Sequence, residues 1–313
     1  MTKYRNNLPQ LENKICITDG GLETEFYFHK GYELPEFASY KLVNNQDAYN
    51  ELYKYYQDYA LLAQTYNKGL ILETLTWRAS SDWGKKLGDS EEELAKYNNQ
   101  SVMLLEKIRG EFETADSPIV ISGCIGPRGD GYQPSNKMTI EQAYHYHKQQ
   151  IHTLANTNAD MVSALTINYV EEAIGIVLAA KENNIPVSIS FTLETDGKLP
   201  DGGSLEEAIK VVDFETDAGA EYFMINCVHP THFSHLFAEG GHWLSRIKGL
   251  RGNSSCLSHE ELDNAEILDE GNPVEFGQQL ASLKGQSAHL SVLGGCCGTD
   301  YRHIKQICDN LTH

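Results

Sequence analysis

The chain has 313 residues, of which 41% are hydrophobic, enough to fill a large core and too many for a disordered chain. Asp plus Glu number 44 against 25 Lys plus Arg, so the formal net charge is −19. A surface this acidic repels phosphate backbones and anionic lipid headgroups, which argues against nucleic acid and membranes as partners. The sequence shows no signal-peptide pattern at its start and no run of the roughly 18 apolar residues that a membrane span needs. We therefore expect a soluble, cytoplasmic protein.

Short apolar segments alternate with amphipathic ones along the whole sequence. We predict strands at residues 15–21, 70–76, 119–126, 160–167, 186–194, 221–227, 244–250 and 290–295. We predict helices at residues 47–67, 90–109, 140–156, 170–183, 204–218, 231–238, 273–284 and 301–310. Eight strand–helix units favour parallel pairing through right-handed crossovers and close naturally into a single α/β barrel of the (β/α)₈ TIM type. A doubly wound open sheet is the alternative, and we interpret residues 1–313 as one domain.

Polar side chains are concentrated where the predicted strands run into their following loops. In a parallel barrel this edge is the place where active sites are built. The residues concerned are Asp19, Glu73, Thr74, Thr76, Arg78, Glu194, Asn226, Cys227, Arg251, Cys296 and Cys297.

The most specific feature is a pair of adjacent cysteines, Cys296 and Cys297, set among glycines in residues 294–298 (GGCCG). Adjacent residues of a regular strand face opposite sides, and the flanking glycines allow the backbone to leave that geometry. Cys227 ends the sixth predicted strand, two strands away around a barrel, so the three sulfurs can converge on one ion. Three thiolates with an open fourth position are typical of catalytic zinc. A vicinal disulfide or redox pair is the alternative, and we expect Cys16, Cys124, Cys256 and Cys308 to be core residues.

A zinc ion with three thiolate ligands is a weak Lewis acid towards carbonyl groups but can still bind a fourth sulfur. A substrate thiol loses its proton on binding to such a metal, and a thiolate is a good nucleophile. An electrophilic methyl group is the simplest partner for it. The pattern therefore predicts a zinc-dependent thiol methyltransferase.

Nearly the whole chain resembles the homocysteine S-methyltransferase family. The resemblance is carried by residues 18–21 (TDGG), 73–80 (ETLTWRAS), 126–127 (GP), 226–227 (NC) and 294–299 (GGCCGT). It implies that Cys227, Cys296 and Cys297 are the zinc ligands and catalytic centre.

The same resemblance implies a set of substrate-binding residues. The backbone around Asp19 and Gly20 would help to hold the amino acid, Thr74 would contact its polar end, and Asn226 would support the metal-binding loop. The family also places a glutamate on the fourth strand to receive the ammonium group of homocysteine, but Leu165 stands at the matching position. Unless another acid substitutes for it, the acceptor is not homocysteine.

Three other acids are near the predicted rim. Glu194 is our first candidate to replace the missing glutamate, and Glu23 and Glu73 are further ones. If Glu194 fills this role, Glu194→Ala will raise the KM for an amino-bearing thiol strongly.

The resemblance implies methyl transfer to homocysteine, forming methionine, from a sulfonium donor such as S-methylmethionine or S-adenosylmethionine. The predicted partners are therefore a small-molecule thiol and a methyl donor. Three rival interpretations remain. The acceptor could be another thiol or a selenol; the barrel could be a Schiff-base lyase that uses Lys248; or the protein could be a non-catalytic zinc or redox thiol protein. Assembly into a homo-oligomer is left open.

Overall fold

A computed structural model describes residues 2–12 and 14–311, apart from the side chain of residue 263. Its strands form one closed barrel in sequence order, and every neighbouring pair is parallel. The strands are β1 Cys16–Thr18, β2 Gly69–Glu73, β3 Ile119–Ile125, β4 Met161–Ile167, β5 Val187–Phe191, β6 Tyr222–Asn226, β7 Ile247–Gly252 and β8 Val292–Gly295. The predicted (β/α)₈ barrel is confirmed, and the open-sheet alternative is excluded.

Each strand is followed by a long helix that leads to the next strand or, after β8, ends the barrel. These helices are α1 Gln46–Thr65, α2 Glu91–Phe112, α3 Ile140–Ala155, α4 Val170–Glu182, α5 Leu205–Thr216, α6 Pro230–Glu239, α7 Pro273–Gln286 and α8 Tyr301–Asn310. Within the part of the chain that the structure describes, no helix is long and apolar enough to cross a membrane.

Shorter helical segments lie in the connections. They are Pro9–Leu11, Leu22–Thr24, Glu25–His29, Pro35–Phe37, Ser39–Asn44, Ser81–Leu87, His242–Arg246 and His259–Asp263. None of them was predicted, because segments of three to seven residues are too short to show a helical period. The His242–Arg246 segment explains the largest error in the start of a strand. Leu244 lies in this short helical segment, so β7 begins at Ile247 rather than at the predicted residue 244.

The core has an inner layer inside the barrel and an outer layer between barrel and helices. Strand β6 shows the division, since Met224 belongs to the inner cluster while Phe223 and Ile225 belong to the outer one. Successive side chains of a strand point to opposite faces, so both faces of the strand are buried. This rigid double layer holds the loops at the carboxyl ends of the strands in fixed relative positions.

Candidate metal centre

A cavity of about 570 Å³ opens at the carboxyl ends of the strands. Eight of the nine residues that the sequence singled out as a site line it: Asp19, Gly20, Glu23, Thr74, Asn226, Cys227, Cys296 and Cys297. Glu194, the ninth, is not in the lining. It lies in the turn after β5, where its amide donates to the carbonyl of Lys198.

The three predicted cysteine ligands form one cluster at this cavity. Their Sγ atoms all lie within 4.8 Å of one another, and Cys227 Sγ is 3.9 Å from Cys297 Sγ. Tetrahedral zinc with Zn–S bonds of about 2.3 Å holds its sulfurs about 3.8 Å apart. Cys227 and Cys296 are joined as a disulfide, so reduction of this bond is what supplies three thiols. The residues present fit a three-thiolate zinc site.

The cysteine pair reaches this cluster because strand geometry stops just before it. Strand β8 ends at Gly295, and Cys296 and Cys297 lie in the turn that follows. Gly298 closes the turn with φ +76°, a conformation that L side chains rarely adopt. The backbone leaves strand geometry at the cysteine pair, as inferred, but only Gly298 of the flanking glycines has a positive φ, while Gly294 and Gly295 remain in β8.

Asn226, at the end of β6, ties the cysteine cluster to strand β4. Its Oδ1 accepts from the amide of Thr166 at 2.9 Å and from Ser190 Oγ at 2.6 Å. Its Nδ2 donates to Thr166 Oγ1 at 2.9 Å and towards Cys296 Sγ at 3.8 Å. Hydrogen bonds therefore hold both Oδ1 and Nδ2 of Asn226, and Nδ2 directs one donor at Cys296 Sγ.

Thr166 has a strained backbone at the same place. It has φ +63°, rare for a β-branched residue, and lies at a register shift between β4 and β5. In this position its hydroxyl donates to Cys227 Sγ at 3.7 Å. Cys227 also has a positive φ, +54°. Strain of this kind persists only where surrounding bonds impose it, and here those bonds come from Asn226.

Charged groups form the floor of the cavity. Arg251 Nη2 donates to Asp19 Oδ1 at 2.7 Å, and Arg251 Nη1 is 3.9 Å from Glu73 Oε1. Burial raises the pKa of Glu73 to about 7, against the opposing effects of the Arg251 charge and the hydroxyls of Ser122 and Ser163. Glu73 is thus an acid that changes its charge near neutral pH.

Comparison with known proteins decides the family. The model of the family described as homocysteine S-methyltransferase matches residues 16–311. The chain belongs to the homocysteine S-methyltransferase family.

Individual relatives are distant. The chain is 28% identical to homocysteine S-methyltransferase 3 of Arabidopsis thaliana, over 62% of this chain and 58% of that protein. It is 23% identical to the S-methylmethionine–homocysteine S-methyltransferase BHMT2 of Pongo abelii, over 98% of this chain and 81% of that protein. The metallated homocysteine methyltransferase MmuM of Escherichia coli has the same fold, with a TM-score of 0.74 at 17% identity over 98% of this chain and 99% of MmuM.

In this member of the homocysteine S-methyltransferase family, Leu165 lies in the cavity itself. It is 7% exposed, belongs to the inner apolar cluster and receives the indole N–H of Trp77 on its carbonyl. The wall that β4 presents to a substrate is therefore apolar at this point.

Two other predictions can be compared with the structure of this family member. Lys248 lies on β7 but is not in the cavity lining, and the described residues of that lining include no lysine. An inward-facing Schiff-base lysine is thus missing from the described cavity wall. The expectation that Cys256 is a core residue is wrong: it is exposed, in the loop after β7, whereas Cys16, Cys124 and Cys308 are buried.

Among the cavity-lining residues that were not predicted, three lie at or next to the cysteine cluster. They are Thr166, Tyr132, whose hydroxyl lies 4.0 Å from Cys297 Sγ, and His259, which stacks on the Tyr132 ring with centroids 4.1 Å apart. Tyr132 comes from the loop after β3, and His259 begins the short helix His259–Asp263; neither segment has a periodic signal in the sequence. Thr166 is placed by a bulge that leaves no mark in the sequence.

Proposed function

We propose that this chain is a zinc-dependent S-methyltransferase that transfers a methyl group from a sulfonium donor to homocysteine and forms methionine. S-methylmethionine and S-adenosylmethionine are the proposed donors, and residues 1–313 form one homocysteine-binding barrel domain. The observation that carries this proposal is the convergence of three cysteine sulfurs within 4.8 Å at the barrel cavity.

Cys227, Cys296 and Cys297 are the proposed zinc ligands. Held by these three cysteines, zinc would supply an open position that favours the thiolate form of an acceptor thiol near neutral pH. The sulfur lone pair then attacks the methyl carbon, the bond from that carbon to the donor sulfonium breaks, and its electron pair stays on the donor sulfur. The proton of the acceptor thiol leaves to solvent, so charge and atoms balance.

The remaining residues position the reactants. Asn226 and Thr166 direct donors at two of the ligand sulfurs and so limit the negative charge that the three thiolates build up. Asp19, Gly20, Glu23 and Thr74 are proposed to surround the acceptor, since all four line the cavity.

The mouth of the cavity suits a cationic donor. Tyr27, Phe28 and Phe37 line it and are exposed, and the Tyr27 ring packs against both of the others. Aromatic faces attract cations, and a sulfonium group is a cation. This supports an onium donor.

A second candidate function keeps the chemistry and changes the acceptor to another thiol or a selenol. The apolar wall at Leu165 favours it, since the family glutamate is missing there.

Methyl transfer is tested on reduced protein supplied with zinc. L-homocysteine is offered with S-methylmethionine and, separately, with S-adenosylmethionine, and methionine is quantified by mass spectrometry. We expect methionine from at least one donor in the wild type and none in Cys296→Ser or Cys297→Ser, with Cys256→Ser as the matched control. Full activity in either ligand variant contradicts the mechanism. Methylation of other thiols without methionine formation favours the second candidate.

A further inference from the structure

Two buried groups of opposite charge on the cavity floor lack a full set of partners. Glu73 ends β2 and Arg251 lies on β7, so they come from different sides of the barrel. Both are nearly inaccessible, at 6% and 5% exposed, and both line the cavity that contains the cysteine cluster.

Two of the three nitrogens of the Arg251 guanidinium donate hydrogen bonds within the described residues. Nη2 donates to Asp19 and Nε donates to the carbonyl of Gly295 at 3.0 Å. Among residues 2–12 and 14–311, none forms a hydrogen bond with Arg251 Nη1 or with Glu73 Oε2. A buried charged group without such a bond costs free energy, so unpartnered atoms of this kind commonly mark a bound ligand or an ordered water.

Arg251 is also fixed close to two of the proposed metal ligands. Its carbonyl accepts from the amide of Cys227 at 3.2 Å, and its Nε binds the residue before Cys296. A small molecule held at Arg251 therefore lies in the same cavity as the three cysteines.

Glu73 and Arg251 form an ion pair, but Glu73 Oε2 and Arg251 Nη1 lack hydrogen bonds within the described residues, and together they match the two charges of an α-amino acid. An ammonium group needs an anionic acceptor and a carboxylate needs a guanidinium donor, and an α-amino acid has both groups on one carbon. Glu73 Oε1 and Arg251 Nη1 are 3.9 Å apart, which is close enough for adjacent substituents of one carbon to meet both.

We propose that Glu73 and Arg251 form a clamp for the zwitterionic end of an α-amino acid, Glu73 binding the ammonium and Arg251 the carboxylate. This inference rests on the proposed function, because the clamp would bind the amino-acid end of the acceptor thiol that the proposed function names. The apolar Leu165 then faces the methylene chain of the acceptor, and β2 carries the acid that β4 lacks.

The clamp is tested by equilibrium binding, which does not depend on turnover. The titrants are L-methionine, its des-amino analogue (methylthiobutyrate) and its des-carboxy analogue (methylthiopropylamine), added to reduced, zinc-supplied protein in a calorimeter. We expect each analogue to bind the wild type about 10- to 100-fold more weakly than L-methionine, as a lost charge-assisted hydrogen bond implies.

Variants then assign each half of the clamp. Glu73→Gln should weaken L-methionine about 10- to 100-fold and leave the des-amino analogue unchanged, while Arg251→Lys should weaken L-methionine and spare the des-carboxy analogue. The exposed acid Glu171 on α4 provides the control Glu171→Gln, which should bind like the wild type. Because the analogues are tested on the wild type as well, misfolding of a variant does not leave the clamp untested.

Equal binding of L-methionine and its des-amino analogue would overturn the clamp, and would indicate a water molecule rather than an ammonium group beside Glu73. Wild-type affinity for L-methionine in Glu73→Gln would also overturn it. So would a large loss of affinity in Glu194→Ala with no loss in Glu73→Gln. Amino-acid binding without methyl transfer to any thiol would refute the proposed function and leave the clamp standing. Methyl transfer to homocysteine, together with equal binding of L-methionine and its analogues, would refute the clamp and leave the proposed function standing.

Discussion

Asn226 links the cysteine cluster to strands β4 and β5. It takes part in four hydrogen bonds, two of which hold Thr166 in its strained conformation, and it directs a donor at Cys296. The sequence indicated Asn226 through its place beside Cys227, but not these bonds. Two of them reach Thr166 at the register shift between β4 and β5, which exists only in the folded barrel.

Asn226→Ala should lower the zinc affinity of the reduced protein about 10- to 100-fold, as is usual when a group supporting a metal ligand is lost. Competition with a chromogenic chelator measures this, with the exposed residue change Asn99→Ala as the control. An unchanged affinity would show that the sulfurs are held without help from Asn226.

Glu73 links the site to pH. Burial raises its pKa from 4.5 to about 7, against the lowering effect of Arg251 and of the hydroxyls of Ser122 and Ser163. The folded state therefore favours the protonated acid. The stability that this gives is complete below pH 4.5 and is lost as the pH rises through about 7.

Relative to the wild type, Glu73→Gln should gain stability between pH 5 and pH 8, by at most about 3 kcal/mol, since each pKa unit is worth about 1.4 kcal/mol. Urea unfolding of both proteins at the two pH values, under the same reducing conditions, gives this difference. A difference that is the same at both pH values would mean that Glu73 does not titrate in this range.

At the scale of the elements, the barrel units were predictable and the connections between them were not. β3 and β4 are buried along their whole length and read as continuous apolar runs, so their predicted ends agree with the structure to within one residue. The start of β7 was misplaced because Leu244 is as apolar as a strand residue but packs from a short turn. An apolar residue in the sequence predicts that its side chain is buried, but it does not predict whether its backbone lies in a strand or in a turn.

The turn after β8 is the element that brings the cysteine pair to the site. Gly298 has φ +76°, and a methyl group there would collide with the side chain of Ser254. Gly298→Ala should therefore destabilise the protein by more than about 1 kcal/mol and weaken zinc binding, because Cys297 directly precedes it.

The control for this change is Gly110→Ala, in α2, where an added Cβ meets nothing within 4 Å. It should stabilise the protein by about 0.5–1 kcal/mol, since alanine favours the helix. Urea unfolding of both variants provides the comparison. Equal effects of the two substitutions would show that the turn tolerates a side chain.

At the scale of the whole molecule, the fold and the cysteine cluster were largely foreseeable, and the residues around the proposed substrate were less so. Eight strand–helix repeats determine the barrel, and the barrel brings the ends of β6 and β8 together whatever the loops do. The sequence did not show which acid would replace the family glutamate that is missing at Leu165, because Glu73, Glu23 and Glu194 all lie near strand ends. Only the folded chain shows that Glu73 faces Arg251 across the cavity floor while Glu194 lies outside the lining.

The measurement that tests the central claim most directly is the zinc content of the protein, purified with its thiols reduced and in the absence of air. We predict one zinc per chain in the wild type and in Cys256→Ser, and a loss of zinc together with methyl transfer in Cys297→Ser. A wild-type protein that binds no zinc under these conditions, or a Cys297→Ser variant that keeps both its zinc and its activity, would contradict the account.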